Sequence, residues 1–132
     1  ALDIFNEDYV TFESSEEEII TTFDRTQIVR IINNLVKNAI QAIPEYEPFP
    51  SVKVKIYRTG TDVCIEVKDN GSGIPVEIRN RIFEPQFTTK SSGMGLGLAM
   101  IKNMVESYGG HIHFETIIDK GTTFFVKLPI TN

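Results

Sequence analysis

The chain of 132 residues has one cysteine, no tryptophan and no cluster of basic residues. A single cysteine, Cys64, excludes an internal disulfide and fits a reducing compartment such as the cytoplasm. Its alternating strand context predicts a packed thiol. With 18 acidic residues against 13 basic ones, the net charge of −5 argues against a nucleic-acid surface. No signal peptide or long apolar run is present, so we expect no direct membrane contact.

The length and composition are those of one ordinary globular domain. A chain of 132 residues suffices for a single core, and its 41% hydrophobic content favours folding over disorder. We therefore expect one domain over residues 1–132. The sequence opens with Ala1 in the middle of a pattern, which indicates a piece of a longer protein.

Three alternating glycines, Gly93, Gly95 and Gly97, precede a helical pattern. Glycine lets a ligand approach the bare backbone, and a following helix presents unpaired N–H groups and the positive end of its dipole. This combination favours phosphate binding, although a flexible turn before an amphipathic helix has the same pattern. Two known phosphate loops are excluded, because Leu98 stands where the dinucleotide fingerprint needs glycine and where the P-loop needs lysine.

Periodicity and turn residues predict a mixture of strands and helices. Clean alternation on both sides of the turn at 59–62 predicts a hairpin with one solvent-facing side, and Pro44 ends the first helix. The mixture favours an α/β two-layer sandwich. The predicted strands are 9–13, 18–23, 52–56, 63–67, 111–118 and 122–128, and the predicted helices are 24–43, 75–83 and 96–108.

Two asparagines of the first predicted helix lie on or beside its apolar stripe. At 100° per residue, Asn38 falls within about 20° of Ile31, and Asn34 lies at the edge of the stripe. An amide in an apolar stripe costs about 1–3 kcal/mol unless its hydrogen bonds are satisfied, so a polar group must meet Asn38. That group is either a neighbouring strand, in a structural bond, or a ligand or metal, since an amide oxygen suits Mg²⁺.

An acidic, glycine-rich turn follows the second strand of the hairpin. Asp69 opens this turn after the strand, and Gly71 and Gly73 lie within it. Aspartate beside glycine is usual in an ordinary turn. A carboxylate at a strand end also accepts hydrogen bonds from an exocyclic amine such as N6 of adenine, and the glycines would let a flat base pack on the backbone.

In this order and spacing, the motifs resemble the nucleotide-binding domain of bacterial sensor histidine kinases, which belong to the GHKL superfamily with gyrase, Hsp90 and MutL ATPases. The resemblance covers about residues 9–128, and the string Thr88-Thr89-Lys90 is similar to the nitrogen-regulation and sporulation subgroup. The matching motifs are Asn34…Asn38, Asp69-x-Gly71-x-Gly73, Phe83-Glu84-Pro85, Gly93-x-Gly95-Leu96-Gly97-Leu98 and Gly121-Thr122-Thr123-Phe124.

The resemblance implies the fold and most of the site. It implies an α/β sandwich whose mixed sheet of about five strands is backed by three helices, with ATP under a mobile lid of about residues 74–92. Asn38 would be the Mg²⁺ ligand, Asn34 a second polar group near the phosphates, and Asp69 the carboxylate that reads adenine. The base would lie by Gly71, Gly73, Ile74 and Thr122 or Thr123, and the phosphates by Gly93, Gly95, Leu96, Gly97 and Leu98.

Three further positions bear on the chemistry that the resemblance implies. Gyrase-like relatives carry a glutamate base where this chain has Asn34, and an amide cannot accept that proton, so ATP should be held with slow hydrolysis. Gln41 stands where sensor kinases often carry a lysine or arginine, so Lys90 is the candidate for the phosphate cation, and Asn34 and Lys90 are the predicted catalytic residues. The alternative for Lys90 is an exposed lysine of the lid. Gln86 replaces a usual aromatic residue after the Phe83 motif.

The phosphoaccepting histidine of this family lies on a separate helical dimerisation domain, and His111 and His113 are expected to be ordinary strand residues. The predicted function is transfer of the ATP γ-phosphoryl group to that histidine, in a phosphorelay to a response regulator. The fragment should be a monomer unable to autophosphorylate, and the whole kinase a homodimer. The alternatives are an anti-sigma-factor-type serine kinase on the same fold and a non-catalytic adenine-nucleotide-binding module.

Overall fold

The computed structural model describes residues 9–14, 25–84 and 94–129. The predicted strand 18–23, together with Gln86, Lys90 and Gly93, lies outside the described residues. The described elements are β1 (Val10–Ser14), α1 (Arg25–Ala42), β2 (Val52–Thr59), β3 (Asp62–Asp69), a 3-10 turn (Val76–Ile78), α2 (Met94–Ser107), β4 (His111–Ile117) and β5 (Gly121–Pro129).

The five described strands form one mixed sheet in the order β1-β2-β3-β5-β4. β1 pairs with β2 in parallel, and the other neighbours are antiparallel. The five-stranded mixed sheet and the α/β class are confirmed. Two α-helices and one 3-10 turn are described where the resemblance implied three helices.

The core lies between the sheet and the two helices, where α1 contributes the apolar stripe that its periodicity predicts. Ile31 and Leu35 are fully buried on that stripe, and α1 packs on β3. β2 alternates, so Val54 is buried while Lys53 and Lys55 are exposed. β3 departs from alternation at Cys64, which is buried between Val63 and Ile65. The predicted hairpin with one solvent-facing side is confirmed.

The second helix begins two residues earlier than its sequence pattern predicts. α2 starts at Met94, so Gly95 and Gly97 lie inside its first turn rather than in a loop before it. Glycine is costly in the interior of a helix. In the first turn the backbone N–H groups have no intrahelical partners for any residue type, so glycine is tolerated there. Neither described α-helix is long and apolar enough to cross a lipid bilayer.

The described first part of the predicted lid, residues 74–84, is packed on the core. The predicted helix 75–83 is reduced to one 3-10 turn without a buried residue. Beyond it, Ile82 is 4% exposed, and the ring of Phe83 lies 6.1 Å from Phe114 and 6.4 Å from Phe124 between centroids. Val76 and Glu77 are exposed and Ile78 is only partly buried, so the segment has little buried surface to stabilise a longer helix.

Candidate functional site

Asp69 lies at the end of β3 with its carboxylate turned into the protein, and only 3% of the residue is exposed. Its Oδ1 accepts hydrogen bonds from the backbone N–H groups of Gly71, at 2.8 Å, and Thr122, at 3.3 Å. Burial raises the pKa of the carboxyl group to about 6, although both backbone bonds oppose that shift. Oδ2 has no hydrogen-bond partner among the described residues, so it can accept a proton donor from a ligand.

The turn after Asp69 is fastened between the end of α1 and the β4–β5 hairpin. The backbone N–H of Ser72 donates to the carbonyl of Ala42, at 3.2 Å, and its carbonyl accepts from Asp119, at 2.8 Å. A Cβ on Gly71 would overlap the Ala42 carbonyl oxygen, and Gly73 has φ of 83°. These two glycines therefore have a packing role that the sequence did not predict.

Strand register distinguishes the two threonines that the sequence left as alternatives. Thr122 is directly opposite Asp69 in the β3–β5 pair and is 4% exposed. Thr123 is opposite Lys68 and Glu115, on the solvent-facing side of the sheet. Successive strand residues point to opposite faces, so Thr122 shares the face of Asp69 and Thr123 does not.

Asn34 and Gly97 are brought together where α1 passes the first turn of α2. The side-chain N–H of Asn34 donates to the carbonyl of Arg30, at 2.9 Å, and a Cβ on Gly97 would lie 4.0 Å from Asn34 Oδ1. That is an ordinary contact, so packing against the described residues does not require glycine at 97. A ligand that approaches the backbone would require it, and a helix N-terminus is suited to phosphate.

Asn38 has the buried amide that the helical wheel predicts. The residue is 8% exposed, and its Nδ2 is buried with no hydrogen-bond partner in the described part of the chain. Among the described residues, no strand makes the structural bond to Nδ2 that was the alternative. A buried donor without a partner costs free energy, so Nδ2 calls for an acceptor that the described residues do not supply.

The other predicted site residues have varied surroundings. Ile74 is half-buried against the core, and its N–H donates to Thr116 Oγ1, at 2.9 Å. Leu98 is buried in the core, and Leu96 lies beside Gly95 in the first turn of α2. Lys90 and Gly93 lie outside the described residues, so their roles stay predictions.

The histidines and the cysteine have the ordinary positions that the sequence predicts. His111 and His113 lie on β4 and are exposed, with His113 stacked on Phe125 at 4.7 Å between ring centroids. Cys64 is buried on β3 and lies 3.5 Å from Thr59 Oγ1.

Sequence reasoning missed Thr116, which lies opposite Thr122 in the β4–β5 pair. Its hydroxyl is 2.8 Å from that of Thr122 and accepts the hydrogen bond of Ile74. The sequence pattern did not give this pairing, because the register depends on the turn at 118–120, which pairs Ile117 with Gly121 and so brings Thr116 opposite Thr122.

Comparison with known proteins defines the class of this chain. Residues 23–132 match the family of histidine kinase-, DNA gyrase B- and HSP90-like ATPases, and the chain belongs to this family. Membership of this family of ATPases makes ATP the nucleotide that the domain binds.

Individual relatives narrow the class to histidine kinases. The chain is 35% identical to Sporulation kinase A of Bacillus subtilis over 92% of its own length, and 40% identical to nitrogen regulation protein NtrY of Azorhizobium caulinodans over 68%. It spans 20% of the length of the first relative and 12% of the second.

Solved structures agree with that assignment. The catalytic domain of histidine kinase ThkA, in a nucleotide-free form, matches with a TM-score of 0.76 at 35% identity, covering 92% of this chain and 78% of that one. A mycobacterial sensor histidine kinase, MprB, matches with a TM-score of 0.70 at 26% identity, covering 91% of this chain and 81% of that one. The chain thus has the fold of a sensor histidine kinase catalytic domain.

Proposed function

We propose that this chain binds ATP with Mg²⁺ and delivers the γ-phosphoryl group to a histidine on a separate dimerisation domain of the same protein. The histidine would pass the phosphoryl group to a response regulator. The observation that carries the proposal is the buried Nδ2 of Asn38, which has no hydrogen-bond partner among the described residues. Asn38 lies on the same helix as Asn34, whose Oδ1 lies near Gly97 in the first turn of α2. A buried donor without an acceptor costs free energy, and a bound phosphate would supply that acceptor.

Adenine recognition is assigned to Asp69 and Thr122. Oδ1 of Asp69 is held by two backbone N–H groups, which leaves Oδ2 to accept from an exocyclic amine such as N6. A guanine base has a carbonyl at the equivalent position, and two acceptors facing each other repel. The carboxylate therefore selects an adenine nucleotide by charge and by hydrogen-bond direction.

Asn38 and Asn34 are assigned to the metal and the phosphates. The described residues contain no cluster of three or more His, Cys, Asp or Glu side chains that would build a metal cage. Mg²⁺ commonly keeps several waters and takes few protein ligands together with substrate phosphates, so Oδ1 of Asn38 would suffice as one ligand. Nδ2 of Asn38, which has no partner among the described residues, would donate to a phosphate oxygen. When bound, Mg²⁺ would neutralise charge on the phosphates, and the first turn of α2 adds N–H donors.

The chemistry at Asn34 favours transfer over hydrolysis. An amide cannot take a proton from water, and the Asn34 amide already donates to the Arg30 carbonyl. Positioning ATP for an external nucleophile then depends on binding and charge neutralisation. A histidine on a second domain is such a nucleophile, and we place both domains in the cytoplasm of a cell as parts of one homodimeric kinase.

The direct test is reconstitution of phosphoryl transfer. The purified chain, mixed with the dimerisation domain of its own parent protein and labelled ATP·Mg²⁺, should label that domain with acid-labile phosphate. The chain alone should bind ATP and stay unlabelled. Label on serine of a partner would favour the serine kinase, and ATP binding with no transfer would favour a non-catalytic module.

Slow hydrolysis is a separate expectation. The isolated chain with ATP and Mg²⁺ should release phosphate well below about 1 s⁻¹, the lower end of typical enzyme turnover, because Asn34 provides no base. Phosphate release under saturating ATP measures the rate. Turnover at about 1 s⁻¹ or faster would contradict the kinase assignment and favour a gyrase-like ATPase.

A further inference from the structure

A row of polar side chains crosses the end of the sheet on its helix-facing side. Asp69 of β3 is opposite Thr122 of β5, and Thr122 is opposite Thr116 of β4. Directly opposite residues share a face, so the three side chains form one line from the centre of the sheet to its edge. Thr116, at the outer end, has no role in the function proposed above.

The hydroxyl of Thr116 joins this row to the turn that follows Asp69. Its Oγ1 accepts the backbone N–H of Ile74, at 2.9 Å, and lies 2.8 Å from Thr122 Oγ1 and 3.3 Å from the carbonyl oxygen of Gly121. Asp69 holds the beginning of the same turn through the N–H of Gly71. The two side chains thus fix the turn at both ends, one at Gly71 and the other at Ile74.

The single proton of the Thr116 hydroxyl links the hydrogen bonds of Thr116 to those of Thr122. A threonine hydroxyl has one proton to donate and two lone pairs that accept. With one lone pair occupied by Ile74, Thr116 either donates to Gly121 and accepts from Thr122, or donates to Thr122. In the first state Thr122 presents an acceptor to its surroundings. In the second it keeps its own proton to donate.

We infer that Thr116 is a positioning residue for adenine recognition, which holds the Ile74 end of the base-side turn and orients the Thr122 hydroxyl beside Asp69. The inference rests on the proposed function, because it assumes that Asp69 and Thr122 meet the base. Thr116 acts through these residues, so its loss should weaken binding of the adenine ring and leave the phosphate side unchanged.

The test compares Thr116→Val with Thr116→Ser in nucleotide titrations of the whole chain by calorimetry. Valine suits a strand but removes the hydroxyl, so ATP affinity should fall about tenfold, the loss expected for one or two hydrogen bonds. Serine keeps the hydroxyl and should stay within about threefold of wild type. Thr11→Val, an exposed change on the solvent-facing side of β1, is the matched control and should not alter affinity.

Inosine triphosphate separates positioning from general damage, because it has a carbonyl in place of the N6 amine. The wild type should prefer ATP, and Thr116→Val should narrow that preference by losing ATP affinity more than inosine triphosphate affinity. Equal losses for the two nucleotides, an unchanged ATP affinity, or a serine variant as weak as the valine variant would overturn the inference. Thr116→Ala gives the same comparison if the valine variant does not fold.

Failure of the proposed function has a different signature. A wild-type chain that binds no ATP would overturn that function and this inference together. A wild-type chain that binds ATP, with a valine variant that binds it equally well, would overturn the role of Thr116 alone.

Discussion

Replacing Asp69 with asparagine should weaken ATP binding about 100-fold, from loss of charge-assisted hydrogen bonding to the base. The two backbone N–H groups that bond Oδ1 require an acceptor, so the amide oxygen of the introduced side chain takes that place. The NH₂ group then replaces Oδ2 and opposes the N6 amine, donor against donor. Calorimetric titration with ATP measures the loss. Asp62→Asn, at the other end of β3, is the control and should not change affinity.

The same substitution should stabilise the nucleotide-free domain at neutral pH. Burial raises the pKa of Asp69 from 3.8 to about 6, so the folded state holds this proton more tightly than the unfolded state does. That contribution to stability is full below about pH 4 and is lost as the pH rises through about 6, a change of about 3 kcal/mol. Asparagine does not titrate and avoids this loss.

Denaturant unfolding of the two proteins between pH 4 and 8, values that bracket this titration, measures the effect. The stability of Asp69→Asn relative to wild type should increase with pH across that window. Parallel pH profiles would show that the buried carboxylate is not desolvated as the structure indicates. If Asp69→Asn binds ATP more weakly but is more stable than wild type, Asp69 contributes to ligand binding at the expense of stability.

Replacing Asn38 with leucine should abolish most phosphoryl transfer without lowering stability. The amide is buried with no partner in the described part of the chain, so an apolar side chain of similar size removes an unsatisfied group. Loss of the proposed Mg²⁺ ligand should reduce transfer at least about 100-fold, since metal stabilisation of phosphoryl charge is worth several kcal/mol. Reconstituted transfer and denaturant unfolding measure the two effects.

Asn33→Leu is the matched control, because Asn33 lies on the same helix and is exposed. It should keep transfer near the wild-type rate. A variant at Asn38 that transfers normally but loses about 2 kcal/mol of stability would instead show that this amide makes a structural hydrogen bond. The two possible roles of Asn38 thus predict opposite results in both measurements.

The local sequence pattern predicted most of the helices and strands, and also the polar residues that stand at apolar positions within them. The helical wheel placed Asn38 among apolar residues, and it is buried beside fully buried Leu35 on α1. The alternating strand at 63–67 likewise placed Asp69 at its edge, and in the structure β3 extends to include it. Both predictions succeed because helix and strand periods fix which side chains share a face, whatever the rest of the chain does. The start of α2 was missed because glycines weaken the pattern where a helix first turn tolerates them.

By itself, the sequence determined the periodicity of the strands and helices and the polar residues that interrupt their apolar faces. The order of its motifs also determined the family that it resembles. Only the tertiary structure decided which threonine faces Asp69, that Thr116 completes the row, and that Gly71 is required by Ala42 while Gly97 is not required by its neighbours. These facts depend on pairing between segments far apart in the chain. Periodicity gives the face of each residue, but strand register and helix contact give its neighbour.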